Sequence, residues 1–165
     1  MRIAGSMQVA APIELVWSIV SDPERALDFM HGVTRWETAG DQPSGQGARY
    51  RMLMRVGSAE VGGLVEVVEW APPCEFAWTS VTGVDQRGRW RLRQAGRGRT
   101  RVEFRLAYGV AGSGIWGWVA ERVAAPTVKD HVHRSLEQLR RLVEQEQRRE
   151  RAATRAGAAP AASSR

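Results

Sequence analysis

The hydrophobic period of this chain changes once, and that change limits its fold more than any other feature. From Val33 to Tyr108 apolar residues alternate with polar ones in six consecutive segments, 33–39, 48–56, 59–70, 75–82, 87–94 and 100–108. Alternation of this kind marks half-buried strands. The breaks between them, GDQPSGQG, Gly57-Ser58, APP, GVD and AGRGR, are short and carry turn-forming residues. Strands joined so tightly pair antiparallel, because a parallel crossover needs a dozen or more residues. Beyond GVAGSG the period lengthens to that of a helix over about residues 115–146, with an interruption or kink expected near Pro126. Val128, Val132, Ser135, Leu136, Leu139, Leu142 and Val143 share one face of it, with Glu137, Arg140 and Arg141 elsewhere. At ~1.5 Å per residue such a helix reaches ~45 Å, enough to cross a whole sheet.

Ahead of the meander, residues 3–9 place Ile3, Gly5, Met7 and Val9 on one side of an opening strand. AAPIELVWSIVSD follows, with Pro12 at a first helical position, Glu14 near the positive end of the dipole, and Ile13, Val16, Trp17 and Val20 on one face. Asp22-Pro23 then starts a second short helix through Phe29 and Met30. The class is α+β.

A chain of 165 residues, 43% hydrophobic and 25% charged, suits one globular domain. That domain is expected to cover 1–146. The stretch 147–165, QRRERAATRAGAAPAASSR, is charged and then rich in Ala, Gly, Ser and Pro, and is expected to be disordered. No apolar run approaches ~18 residues, so no membrane-spanning helix is expected. MRIAGSMQVAAPIELVW lacks a continuous apolar core and meets Glu14 early, unlike a secretory signal. The single cysteine, Cys74, precludes an intramolecular disulfide and fits a cytoplasmic location.

The net charge of +6 and a pI near 10.8 invite a nucleic-acid reading. However, residues 147–165 hold five arginines and one glutamate, so the other 146 residues carry only about +2. The hairpin GRWRLRQAGRGRTRVEFRL remains. Arg87, Arg89, Arg91 and Arg93 share one face, with Gly88, Trp90 and Leu92 on the other. Arg99, Arg101, Glu103 and Arg105 likewise oppose Thr100, Val102, Phe104, Leu106 and Tyr108. Burying an unpaired arginine costs several kcal/mol, whereas each inward Trp, Phe or Leu contributes ~1.5–3 kcal/mol. The arginines are therefore expected to face outward as a solvated face, or as a docking surface for an acidic partner or an anionic lipid head. No aromatic residue interleaves with them to stack bases, which argues against nucleic acid.

VAAPIELVWSIVSD resembles the START-like superfamily, also called helix-grip or Bet v 1-like, and more narrowly its polyketide cyclase/dehydrase and lipid-transport group. EVVEWAPPCEFAWTS, GRWRLRQAGRGRTRVEFRL and VKDHVHRSLEQLRRLVE sit where that group has its corresponding strands and gripping helix, so the resemblance covers about residues 3–146. It implies a helix-grip fold: a curved antiparallel sheet of about seven strands around the long C-terminal helix, two short helices after strand 1, and an apolar cavity between sheet and helix. From the residues alone, the inward set of Tyr50, Met52, Met54, Phe76, Trp78, Trp90, Phe104 and Tyr108 suits either a solid core or a ligand cavity. Methionine conforms to varied apolar shapes, and aromatics with a polar tip can orient a ligand. The resemblance favours a cavity for a hydrophobic, polyketide- or lipid-like molecule, with Thr82 and Val128 also lining it.

Aromatase/cyclase members of the group use a cavity arginine on the strand matching VGGLVEVVEW. Here the inward positions are Gly63, Val65, Val67 and Glu69, or on the other parity Leu64, Glu66, Val68 and Trp70. Neither set has an arginine, which argues against a cyclase mechanism of that type. The remaining catalytic candidates are His31, Ser80, Tyr108 and His131. His31, in FMHGV near the expected cavity mouth, suits general acid–base work or an exposed loop. His131 and His133 lie about 200° apart around a helix, so they cannot chelate one metal, and His131 is nearer the gripping face. Ser80 and Thr82 share a strand parity with Phe76 and Trp78, and Asp130 and Arg134 form an i,i+4 surface pair. No metal or cofactor is expected: GVAGSG lacks the Lys-Ser/Thr of a phosphate-binding loop, and no G-x-S-x-G elbow is present. Two readings stay open, a cyclase/dehydratase-type enzyme that holds a flexible chain in one productive fold, and a non-catalytic carrier or sensor. A substrate delivered on an acidic acyl carrier protein would find its landing site on the arginine face.

Overall fold

The computed structural model describes the backbone of residues 2–109 and 115–157 and the side chains of 2–109 and 126–156. The elements are β1 (Arg2–Val9), α1 (Ile13–Val20), a 3-10 turn (Pro23–Arg25), α2 (Ala26–Phe29), β2 (Val33–Thr38), β3 (Arg49–Val56), β4 (Ala59–Ala71), β5 (Glu75–Ser80), β6 (Asp85–Gln94), β7 (Thr100–Gly109) and α3 (Ile115–Gly157). Their order is that of the sequence reading. The strands form one antiparallel sheet, β1-β7-β6-β5-β4-β3-β2. The meander follows from the short breaks, and β1 joins its far edge beside β7, with Arg2 opposite Ala107 and Val9 opposite Thr100.

Local chemistry fixes the corners. The Asp22 carboxylate accepts the Glu24 N–H at 2.9 Å, capping the turn that leads into α2. Buried Thr100 donates its hydroxyl to the Ala11 carbonyl at 2.8 Å, tying the start of β7 to the entry of α1. Along α3, Val128, His131, Val132, Ser135, Leu136, Leu139 and Val143 are buried, one stripe at helical spacing. Val132 and Leu136 close on Gly5 of β1, so the helix lies across the inner face of the sheet.

Three expectations change. Residues 147–157 are not a disordered tail: α3 continues through them to Gly157. Their Arg, Glu, Gln and Ala are good helix formers, and Arg149 pairs with Glu146 at 3.6 Å; residues 158–165 lie outside the described ones. Pro126 sits within the helix, which is not interrupted there. In β4 neither parity holds throughout, because the register shifts between Val67 and Glu69. Val65 and Val67 point inward, Glu69 reaches outward to Arg89 at 2.9 Å, and Trp70 turns back in against Phe76.

Candidate functional site

The space between sheet and α3 has an aromatic end and a histidine end. At the first, Trp36 stacks on Tyr50 with ring centroids 5.1 Å apart and meets Trp78 edge-on at 5.4 Å. Phe76 lies against Trp78 at 5.4 Å, and the Trp78 ring spreads over Gly88, where any side chain would collide with it. Further along, Trp90 and Phe104 stack at 4.0 Å with nearly parallel rings, and Phe29 closes edge-on over Trp90. The sequence reading missed Trp36 and Phe29 as site residues. Trp36 is flanked by Thr34 and Thr38, so no apolar stripe announced its inward side.

At the second end, His31 and His131 meet edge-on with centroids 5.4 Å apart. The backbone N–H of His31 donates to the Ser135 hydroxyl at 2.9 Å, docking the loop after α2 onto α3. Gly32 packs directly over the His131 ring with φ of +82°, a position that tolerates no side chain and a conformation that favours glycine. His131 is 9% exposed, and burial, helped by the neighbouring His31, lowers its pKa. It is therefore neutral at pH 7, with one nitrogen able to donate and one able to accept. Met30, Met52, Met54, Phe104, Leu106 and Val132 close the walls around this pair.

The hollow anticipated from the resemblance is shut among the described residues. The gap at the histidine end and a second one beneath Trp36, Tyr50 and Phe76 each measure about 10 Å³, roughly the room for one water. Interlocked rings and methionines occupy the remaining space. Yet among the described residues four buried polar atoms have no hydrogen-bond partner; one is Gln147 Oε1 in the C-terminal part of α3, and the three in this core are Trp78 Nε1, Trp90 Nε1 and His131 Nδ1. Native cores leave few such groups, and each costs ~1–3 kcal/mol. All three surround Phe104, which stacks on Trp90, lies 6.2 Å from Trp78 and borders the gap beside His131.

The other anticipated residues divide. Tyr50, Met52, Met54, Phe76, Trp78, Trp90, Phe104, Tyr108 and Val128 are all buried in this core. The Tyr50 hydroxyl is already committed, donating to the Pro43 carbonyl at 2.8 Å, and burial with the nearby Asp22 charge pushes its pKa up to about 12. Thr82 does not line the interior, whereas Ser80 keeps the inward parity of Trp78, half-buried opposite Val65 at the end of β5. β5 ends at Ser80, whose hydroxyl accepts the Gln86 N–H at 3.1 Å in the turn to β6, and Thr82 is exposed and accepts the Leu64 N–H at 3.3 Å. Asp130 and Arg134 pair at 2.8 Å on the surface, and His133 sits exposed beside Glu137. Among the described residues, no three His, Cys, Asp or Glu side chains converge on one point.

The arginines of β6 and β7 face outward, as burial energetics require. Arg89 bridges Glu69 at 2.9 Å and Glu75 at 2.6 Å, Arg91 also binds Glu75, and Arg105 pairs with Glu103.

A seven-stranded antiparallel sheet gripping one long C-terminal helix, with short helices after the first strand, defines the helix-grip or START-like class. Within it, this chain belongs to the polyketide cyclase / dehydrase and lipid transport family, whose sequence model matches residues 1–144. Among solved structures it is similar to the protein TTHA0849 from Thermus thermophilus, with TM-score 0.74 and 22% identity over 87% of this chain and 97% of that one. It is also similar to the Zhui aromatase/cyclase from Streptomyces sp. R1128, with TM-score 0.74 and 19% identity over 88% and 94%. A START superfamily protein from Mycobacterium smegmatis aligns with TM-score 0.65 and 18% identity over 87% and 97%. At these identities the likeness is one of fold. No curated protein matches the chain. Among the described residues, no helix is long and apolar enough to cross a membrane.

Proposed function

We propose that this protein encloses a hydrophobic, polyketide- or lipid-like molecule bearing oxygen acceptors, in a pocket between the sheet and α3 that opens as the ligand enters. The observation that carries this reading is the trio of orphaned polar atoms around Phe104. A carbonyl or hydroxyl oxygen delivered there would accept from the two indole N–H groups and engage the imidazole, removing a standing penalty from the core. Ligand pockets of this kind need several hundred Å³, so side chains must move. Met30, Met52 and Met54, unbranched and adaptable, supply the wall best able to do so. The family description, which names both cyclase/dehydrase and lipid transport, agrees with such a ligand.

A second reading, acid–base catalysis on that ligand, is favoured by the neutral His131 beside His31, a pair able to take and return a proton. Against it, the inward side of β4 offers Val65, Val67 and Trp70 and no arginine, which supports a carrier or sensor. Native mass spectrometry of the purified protein before and after organic extraction tests the common part: a retained apolar mass that extraction removes is expected. If the protein elutes empty and displaces no anilinonaphthalene probe, the reading fails. His131→Phe then separates the two readings, since a carrier loses only the part of its affinity that the imidazole contributes, whereas an acid–base enzyme also loses turnover of the ligand it still binds.

A further inference from the structure

The outer face of the sheet has an organisation of its own, independent of any ligand inside. Strand registers line its outward side chains up in rows across β5, β6, β7 and β1. The first row reads Thr79, Arg87, Ala107, Arg2 and the second Ala77, Arg89, Arg105, Ala4. In the third, Arg91 lies between Glu75 and Glu103, and in the fourth Arg93 stands directly opposite Arg101. Directly opposed like charges destabilise a sheet, and this face contains two such pairs, Arg89 with Arg105 and Arg93 with Arg101. Its carboxylates are taken by Arg89, Arg91 and Arg105, which leaves Arg87, Arg93 and Arg101 without an ion pair among the described residues. The first two rows border an open groove of about 810 Å³. Small residues, Ala4, Ala77, Ala107 and Thr79, form its floor; Arg2, Arg87, Arg89 and Arg105 form its rim; and Val68 stands at its margin, 46% exposed.

We infer that this groove is a docking surface for an acidic helix of a partner protein. Rows repeat every ~6.6 Å along the strands, close to the ~6 Å rise between residues i and i+4 of a helix, so carboxylates at i and i+4 meet the arginines of the first and second rows, short of Glu75 and Glu103 in the third. The alanine floor lets the helix backbone approach and provides dry contact. A second copy of this chain cannot pair symmetrically through this groove, because two positive faces would meet. A nucleic-acid backbone would meet Glu75 and Glu103 in the third row, which break the positive track. No bulky exposed residue besides Val68 is present at the groove to enter a bilayer.

The test uses the full chain and a fluorescent synthetic helix of about 20 residues, built on alanine with glutamate at i,i+4 spacing, at about 0.15 M salt to screen non-specific attraction. Saturable binding is expected. The exposed pair Arg87→Ser/Arg105→Ser should weaken it at least about tenfold, and Ala107→Leu, which blocks the floor without touching charge, by several-fold. Arg35→Ser/Arg51→Ser, on the far outer strands, should change it less than about twofold, with circular dichroism confirming that each variant is folded. The inference is overturned if the peptide does not bind, if both arginine pairs weaken it equally, if Ala107→Leu has no effect, or if duplex DNA or phosphatidylglycerol vesicles bind more tightly than the peptide.

Discussion

The inner and outer faces of β6 and β7 share one backbone and differ in every other respect. Inside, Trp90, Leu92, Val102, Phe104 and Leu106 interlock at van der Waals distance beneath α3, and shape alone decides what fits. Outside, charge dominates, and arginines stand opposite one another where a threonine ladder would hold the sheet better. The inside therefore supplies most of the stability while keeping three polar atoms unmet. The outside gives up some stability for a field that the ion pairs of Arg89, Arg91 and Arg105 neutralise only in part. Each face departs from what folding alone would select, and those departures are where function is to be sought.

The contrast can be broken at its strongest point first. Phe104→Ala should destabilise the protein by ~3–5 kcal/mol through loss of the stacked Trp90 partner and the resulting void. Arg91→Ala, directly across the sheet, should cost ~1 kcal/mol or less. Equal losses in urea denaturation would contradict the division of labour. Gly88→Ala comes next: a methyl group there runs into the Trp78 ring, and overpacking should cost ~1–3 kcal/mol.

A smaller effect sharpens the inner face. His131 binds a proton less readily folded than unfolded, because burial and the His31 charge lower its pKa, with Asp130 opposing and Arg134 adding to the shift. Its contribution is thus full above the ordinary imidazole value of about 6.5. It is lost progressively as the pH falls below that value toward the lowered folded pKa, since the unfolded chain then takes up a proton the folded one refuses. Denaturation midpoints between about pH 7 and pH 5 should fall for the native chain and flatten for His131→Gln; parallel slopes would remove His131 as the cause. The smallest effect lies outside. Arg101→Glu converts the Arg93–Arg101 opposition into an attractive pair and should raise stability by ~0.2–1 kcal/mol.

How far each feature could be read from the residues follows the same division. Alternation is a backbone property, so seven strands, their antiparallel order and the outward arginines were all legible before any coordinates. The angle between positions on a helix likewise brought His131 to the gripping face. Thr82 misled because alternation continues on paper past Ser80, where β5 ends and the chain turns away. The bulge after Val67 switched the inward side of β4 midway, which no single parity can describe. Closure of the hollow was hidden for a different reason. Composition supplies the volume of Trp36, Trp78, Trp90 and Phe104, but only three-dimensional placement shows the rings interleaving. Nor could the sequence show that Gly32 lies on His131 or that three polar atoms go unanswered.

The most direct measurement follows the two orphaned indole protons. Titrating isotope-labelled protein with 2-acetylnaphthalene, an apolar aromatic ketone, should move the Trp78 and Trp90 Nε1–H resonances downfield together and saturably as the carbonyl accepts from them. Those of Trp17 and Trp70, which pack on each other away from Phe104, should stay in place. If the buried pair does not move at saturating ketone, the interior is a finished core and the central claim is wrong.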